Sequence, residues 1–253
     1  MYSINTVSIG AAHLAAVQKV ISFGIPGVTE DGEYIVRLKE PLSIHVSDPL
    51  HGYNKFVDSP YGCKFDEVYE GKVIGITPMK HDGLDPVYTY GNRIRDYPQP
   101  TKWKNGTIIL GDDIDGCELR ILGDGDLGRL DHHMGYDQLY ACVDKLRANP
   151  NTRRAVMSTW VPYKDHKSHD PPCIMTICLE VVEDALTLVA FIRSNDMLMA
   201  WGENAIGLTA IQHFIAHELK LPVGYLETIS RNAHVYYKRD QTDLRTMGIM
   251  YEE

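Results

Sequence analysis

The chain has 253 residues, 44% of them hydrophobic and 23% charged, which is enough apolar mass for a substantial core and excludes a disordered, collagen-like or coiled-coil protein. With 25 Lys+Arg against 34 Asp+Glu the formal charge is −9, so there is no whole-surface attraction to nucleic acid or an anionic membrane, and any phosphate must be met by a local basic site. No uncharged apolar stretch approaches the roughly 18 residues of a membrane span, and the first apolar segment lacks a basic prefix and is broken by His13, Gln18 and Lys19, which predicts a cytoplasmic protein without a secretory signal.

Ala11 to Ser22 has apolar residues at helical spacing and stops near Gly24 and Pro26, predicting an opening helix. Tyr34 to Val46 is β-rich apart from Pro41, which predicts two extended pieces or one interrupted strand. Phe65 to Ile74 reads as a short helix, and Thr101 to Arg129, dense in Gly and Asp, as a hairpin and loops whose carboxylates lack calcium-loop spacing. Tyr136 to Ala148 returns to helical periodicity before Asn149-Pro150. Ala155 to Trp160, Ile174 to Val182 and Leu186 to Ile192 read as buried strands, Asn204 to Leu219 as the clearest helix, and Tyr225 to Ile229 as a last strand. With no repeat and no low-complexity linker, residues 1–253 are expected to form one α/β (α+β) domain, a large mixed β-sheet flanked by helices. The five cysteines, Cys63, Cys117, Cys142, Cys173 and Cys178, are odd in number and lack CxxC spacing, so neither a disulfide framework nor a metal site is expected.

Asp170-Pro-Pro-Cys173 places a thiol after two residues that fix the backbone and carry no N–H. Alone it reads as a structural cysteine at a strand entrance. Arg153-Arg154 about twenty positions earlier and Arg193-Ser194 twenty later add three guanidinium groups and a hydroxyl, the makings of a phosphate cradle, because arginine presents a permanently charged bidentate fork. Such a cationic neighbourhood is expected to favour the thiolate a nucleophile needs.

Pro-Pro-Cys173, Arg193-Ser194-x-Asp196 followed eight residues later by Asn204, and His234-x-Tyr236, preceded by Tyr90-Gly91 and Arg153-Arg154, together resemble thymidylate synthase and its pyrimidine hydroxymethylase relatives. The resemblance covers the C-terminal half strongly and the N-terminal half loosely. It implies that Cys173 is the nucleophile adding to carbon 6 of a uracil ring. Arg193 and Ser194 would hold the 5′-phosphate within the subunit, and Arg153 and Arg154 would reach it from the partner subunit of a homodimer. His234 and Tyr236 would bind the 3′-hydroxyl, Asp196 the pterin of the donor, 5,10-methylene-tetrahydrofolate or a modified analogue such as a methanopterin. Tyr90 would help remove the carbon 5 proton, and Glu67, with Glu70 as the reserve, would be the general acid/base. Asn204 offers one donor and one acceptor to O4 and N3–H of uracil; relatives acting on dCMP carry aspartate there, so the implied substrate is deoxyuridine monophosphate. Asn204 is equally compatible with the N-cap of the helix that follows.

Four departures from the family pattern stand out. Gly27 to Tyr34 contains no arginine, Ile174 takes the place of a histidine after the nucleophile, and Ile192 that of a polar residue before Arg193. The ending, Asp243 to Glu253, lacks the apolar tail of the common bacterial enzymes, so the sequence reads as a divergent, archaeal- or viral-like branch. Two readings stand beside a methyltransferase making dTMP: a dUMP or dCMP 5-hydroxymethylase using the same donor and water, a reading that Asn195 keeps open, and a non-catalytic nucleotide-binding regulator.

Overall fold

A computed structural model describes residues 1–52, 58–61, 72–76, 88–97, 100–104, 107–110 and 136–251, of which the side chains of 100–104, 107–110 and 163 are left aside. An eight-stranded mixed sheet organises them. Its path runs from β1 (Tyr2–Thr6) through β4 (Leu42–Val46), β10 (Val223–Val235), β9 (Ala185–Asp196) and β8 (Ile174–Val182) to β7 (Ala155–Ser158), while β2 (Ile25–Val28) and β3 (Tyr34–Arg37) join at one end of β10. The pairs β1/β4 and β9/β10 are parallel and the others antiparallel. The fold class is the α/β class expected. A separate hairpin, β5 (Pro100–Lys104) with β6 (Thr107–Leu110), supplies the start of the predicted hairpin region.

Alternation along the central strands gives the sheet two unlike faces. Met157, Ile177, Ala190, Thr228 and Ile44 point to the buried one, covered by α1 (Ile9–Phe23) and α5 (Trp201–Leu219). Helix α5 is buried over most of its circumference because it lies on β9 and β10 and is itself covered by α1 and by α3 (Gln138–Ala148). The Trp201 indole, fully buried, satisfies its N–H on Thr228 Oγ1 at 2.9 Å. On the opposite face Val156 and Phe191 remain 46% and 44% exposed.

Several boundaries differ from expectation. Helix α1 begins at Ile9 because Ser8 caps it, its hydroxyl accepting from the Ala11 N–H at 3.2 Å. Strand β9 runs four residues past Ile192, and β10 six past Ile229. Those extensions carry Arg193 to Asp196 and Asn232 to His234, so the polar residues of the candidate site prolong apolar strands. Helix α5 starts at Trp201, three residues ahead of Asn204, and its N-cap is Ala200. Asn204 is therefore inside the helix, its N–H donating to the Ala200 carbonyl at 2.9 Å, and the capping role is excluded. Residues 72–74 are helical, but most of the helix predicted over Phe65 to Ile74 lies outside the described residues. The short strands β1 and β2 and the short helices α2 (Tyr90–Arg95), α4 (Pro162–Asp165) and α6 (Gln241–Thr246) were not expected from periodicity. No described helix is long and apolar enough to cross a membrane.

His13, fully buried in α1, ties the core to the segment after β9: its Nε2 meets the Leu198 carbonyl at 2.9 Å and its Nδ1 the Ser59 hydroxyl at 3.2 Å. Burial holds its pKa below the ordinary histidine value, with the Leu198 bond opposing. The unfolded chain then takes up a proton near pH 6.5 that the folded chain refuses, so His13 contributes stability above that pH and loses it as pH falls toward the lowered folded value. Urea unfolding is expected to show a smaller drop between about pH 7.5 and 5 in His13→Gln than in wild type. An identical drop in both proteins overturns the assignment.

Candidate active site

Cys173, Arg193 to Asp196 and His234 meet where β8 begins and where β9 and β10 end. Antiparallel pairing sets Ile174 opposite Ile192, which brings Cys173 beside Arg193. Parallel pairing sets Ser194 opposite Asn232, Asn195 opposite Ala233 and Asp196 opposite His234. Two motifs some forty residues apart thus become neighbours in register.

Arg193 fastens the strand entrance. Its backbone N–H donates to the Cys173 carbonyl at 2.9 Å, its Nε to the Pro172 carbonyl at 2.9 Å and one Nη to the Pro171 carbonyl at 2.6 Å. The two prolines supply acceptors without competing donors. Burial pushes the Cys173 thiol above its ordinary value; Arg193 pulls it back, and Asp170 and Asp196 push it further up. The expected thiolate bias is corrected here: desolvation of the half-buried sulfur outweighs the one guanidinium beside it, and the resting group is a thiol.

Tyr90 lies at the N-terminus of α2, where Thr89 is the N-cap, and its phenolic oxygen accepts from the Ile174 N–H at 3.2 Å. Gly91 is obligatory there, since a Cβ would stand 1.8 Å from the Gly75 carbonyl oxygen. Tyr88, which the sequence reading missed, packs edge-on against Tyr90 with ring centroids 5.4 Å apart and hydrogen-bonds to its hydroxyl. Burial pushes Tyr88 up to about 12 and Tyr90 well above the ordinary phenol value, so both are protonated donors. Behind them Arg93 lies 5.5 Å from the Tyr88 ring centroid and forms a buried two-pronged pair with Asp165, at 2.7 and 3.2 Å. A Tyr-x-Tyr spacing followed by arginine was the available signal.

Asn204, buried on α5, donates from Nδ2 to Asn195 Oδ1 at 3.4 Å, and Asn195 donates to Ser230 Oγ at 3.1 Å. That chain orients the Asn204 amide and leaves one N–H and the carbonyl oxygen without a partner among the described residues. Asn204 also lines, with Tyr90, Ile174, Ile177 and Leu208, a small apolar cavity with room for no more than a water molecule. The isoleucine at position 174 makes that wall apolar. His234 is buried, its Nδ1 bonded to the Asn232 carbonyl at 3.2 Å, and its ring meets Tyr236 edge-on at 5.0 Å. Burial lowers its pKa against the pull of Asp196, so the ring is neutral at pH 7. Burial likewise pushes the Asp196 carboxyl up, with His234, the Met199 amide and Arg239 opposing.

Arg153 and Arg154 are not brought to this cluster. They are exposed, in the turn before β7. Ala155 pairs with Leu179, so Arg154 stands beside the far end of β8, about seven strand positions or roughly 20 Å from Cys173. Glu67 and Glu70 lie outside the described residues, as do Cys63 and Cys117.

A half-buried thiol beside an arginine, a buried amide with one open donor and one open acceptor, and a neutral histidine beside a carboxylate thus gather at one end of the sheet. The family model described as thymidylate synthase matches residues 55–246, and the chain belongs to the thymidylate synthase family. A "Putative thymidylate synthase" of Methanothermobacter marburgensis is 36% identical over 108 residues, 43% of this chain and 48% of its own length. A protein of the same name from Methanopyrus kandleri is 36% identical over 117 residues, 46% of this chain and 56% of its own length. The thymidylate synthase of Mycoplasma genitalium is 33% identical over 102 residues, 40% of this chain and 36% of its own length. The matched region thus spans about half the length of the first of these curated relatives.

Proposed function

We propose that residues 1–253 act as one catalytic domain that methylates dUMP to dTMP, with Cys173 as the nucleophile. The observation that carries this reading is the Cys173–Arg193 clamp at the end of the sheet, with Asn204 lining one small cavity together with Ile174, the residue after the nucleophile. Arg193, whose remaining N–H groups have no partner among the described residues, and Ser194 receive the 5′-phosphate. His234 and Tyr236 receive the 3′-hydroxyl, and Asn204 meets O4 and N3–H of the base. Cys173 Sγ loses its proton and adds to carbon 6, which makes carbon 5 nucleophilic. Tyr90, anchored by the Ile174 amide and paired with Tyr88, belongs to the polar network that handles the carbon 5 proton. Glu67, or Glu70 in its place, is assigned the general acid/base role.

Asp196 fits a reduced pterin: it is a largely buried carboxylate with acceptor capacity left for one ring N–H group. When bound, a methylene-tetrahydrofolate-type donor or a methanopterin analogue supplies the one-carbon unit and the hydride. Incubating the pure protein with dUMP and 5,10-methylene-tetrahydrofolate and weighing the product tests the reading. A methyl product is expected; a hydroxymethyl product would move the chain to the hydroxymethylase reading, and no product with bound dUMP to the regulator reading.

The distance of Arg153 and Arg154 from Cys173 in their own subunit supports a homodimer that shares them. So does the exposed sheet face around Val156 and Phe191, which has room for a second copy. Mixing Arg154→Ala and Cys173→Ala subunits is expected to restore activity in heterodimers, since one of the two sites then has both groups. Confirmed heterodimers without activity would place these arginines outside the partner's site.

A further inference from the structure

Asp196 is engaged on most of its acceptor positions. Its Oδ1 accepts from the Leu198 and Met199 N–H groups at 3.0 and 3.2 Å, and its Oδ2 from Nη2 of Arg239 at 2.8 Å. A carboxylate has about four acceptor directions, so among the described residues one is left, on Oδ2. Arg239 is fixed from its other side. Its Nε donates to Asp240 Oδ1 at 2.6 Å and its Nη2 to Asp240 Oδ2 at 2.7 Å, while its guanidinium carbon lies 4.0 Å from the Tyr236 ring centroid. Asp240 is itself buried. A guanidinium is a rigid planar fork, so these contacts fix its plane. The Nη1 group, without a partner among the described residues, then has one N–H running parallel to the Nη2–H that meets Asp196. An open acceptor and an open donor stand side by side.

We propose that Arg239 is a specificity-determining residue of the donor site, which together with Asp196 reads the lactam edge of a reduced pterin, a ring N–H next to a C=O. This rests on the reading that Asp196 faces the pterin. An isolated carboxylate with two open oxygens suits an edge that offers two N–H groups. Arg239 occupies one of those positions and replaces it with a donor, so the pair matches N–H and C=O together and opposes an edge where the carbonyl has become an amino group. Asp240 acts as a positioning residue by holding the fork. No contact of Arg239 with Cys173 or Asn204 is involved, so the nucleotide's base and phosphate are read independently of it.

The test measures dissociation constants, with dUMP saturating, for tetrahydrofolate and for a 2,4-diaminopterin analogue in which the C4 carbonyl is an amino group. The proteins are wild type, Arg239→Met and Arg239→Lys, and dUMP affinity is measured separately for each. Wild type is expected to prefer the oxo pterin by about tenfold or more. Arg239→Met should bring the two ligands close to parity while dUMP affinity, touched only through the Tyr236 ring that Arg239 packs on, stays within about tenfold, and Arg239→Lys should keep part of the preference. No preference in wild type, or the full preference in Arg239→Met, overturns the proposal. If Arg239→Met fails to bind dUMP, Arg239→Lys decides: a narrowed preference with intact dUMP binding supports it, and an unchanged one overturns it. Wild type that binds neither dUMP nor any reduced pterin overturns the proposed function as well, whereas wild type that binds both leaves that function standing whatever the variants show.

Discussion

Cys173→Ala is expected to lower dTMP formation by about 10⁴-fold or more, with dUMP affinity changed by no more than a few fold. Phosphate, sugar and base are met by Arg193, Ser194, His234, Tyr236 and Asn204 in the proposed reading, and the truncation removes only the sulfur. Arg193 holds the Pro171 and Pro172 carbonyls and the Cys173 backbone rather than its side chain, so the strand entrance keeps its shape in the variant. A mechanism-based 5-fluoro nucleotide should label wild type at Cys173 and leave the variant unmodified; labelling at Cys178 would refute the assignment. The raised thiol pKa adds a pH signature. The nucleophilic form is scarce at neutral pH, so alkylation of Cys173 by a small electrophile, in the absence of nucleotide, should still be climbing as pH passes the ordinary thiol value of about 8.5. A rate that levels off below neutral pH would mean that Arg193 outweighs burial after all.

How much of this was legible in the sequence depends on the range of the physics involved. Hydrophobic alternation is local, and β8 was bounded correctly at Ile174 and Val182 from its own residues. The ends of β9 and β10 were not, because Arg193, Ser194, Asn232 and His234 are polar and their extended conformation is imposed by parallel pairing with each other. The same pairing is what makes a site of two motifs, so the residues least legible as strand are those that carry the chemistry. Asn204 illustrates the opposite error. Its polarity and the apolar run after it imitate a helix start, yet Trp201 and Gly202 already belong to the helix, because the indole is buried against Thr228. The thiolate expectation counted charges without burial. The pairing of Arg93 with Asp165 and that of Arg239 with Asp240 were invisible because their meaning lies in a contact across 72 residues in one case and in a single planar fork in the other.

Asn204→Asp is expected to lower kcat/KM for dUMP by about 10- to 100-fold, from the roughly 1–3 kcal/mol cost of an unpaired buried polar group, and to raise the dCMP to dUMP ratio by more than that. In the wild-type site the Asn204 amide spends one N–H on Asn195 Oδ1, and that residue is tied in turn to Ser230. What remains is one donor and one acceptor, the complement of O4 and N3–H. A carboxylate at this position sets an acceptor against O4 and another against Asn195 Oδ1, so both the base contact and its support are lost. Because the position is buried, the new carboxyl is held toward its protonated form. One O–H can then serve N3 of cytosine while the other oxygen accepts from the cytosine amino group. The ratio is also expected to rise as pH falls, since protonation supplies the donor that cytosine needs, whereas wild type should show no such pH dependence in its preference. A variant with an unchanged dUMP to dCMP ratio would assign Asn204 to the support of Asn195 alone and leave the choice of base to residues elsewhere in the site.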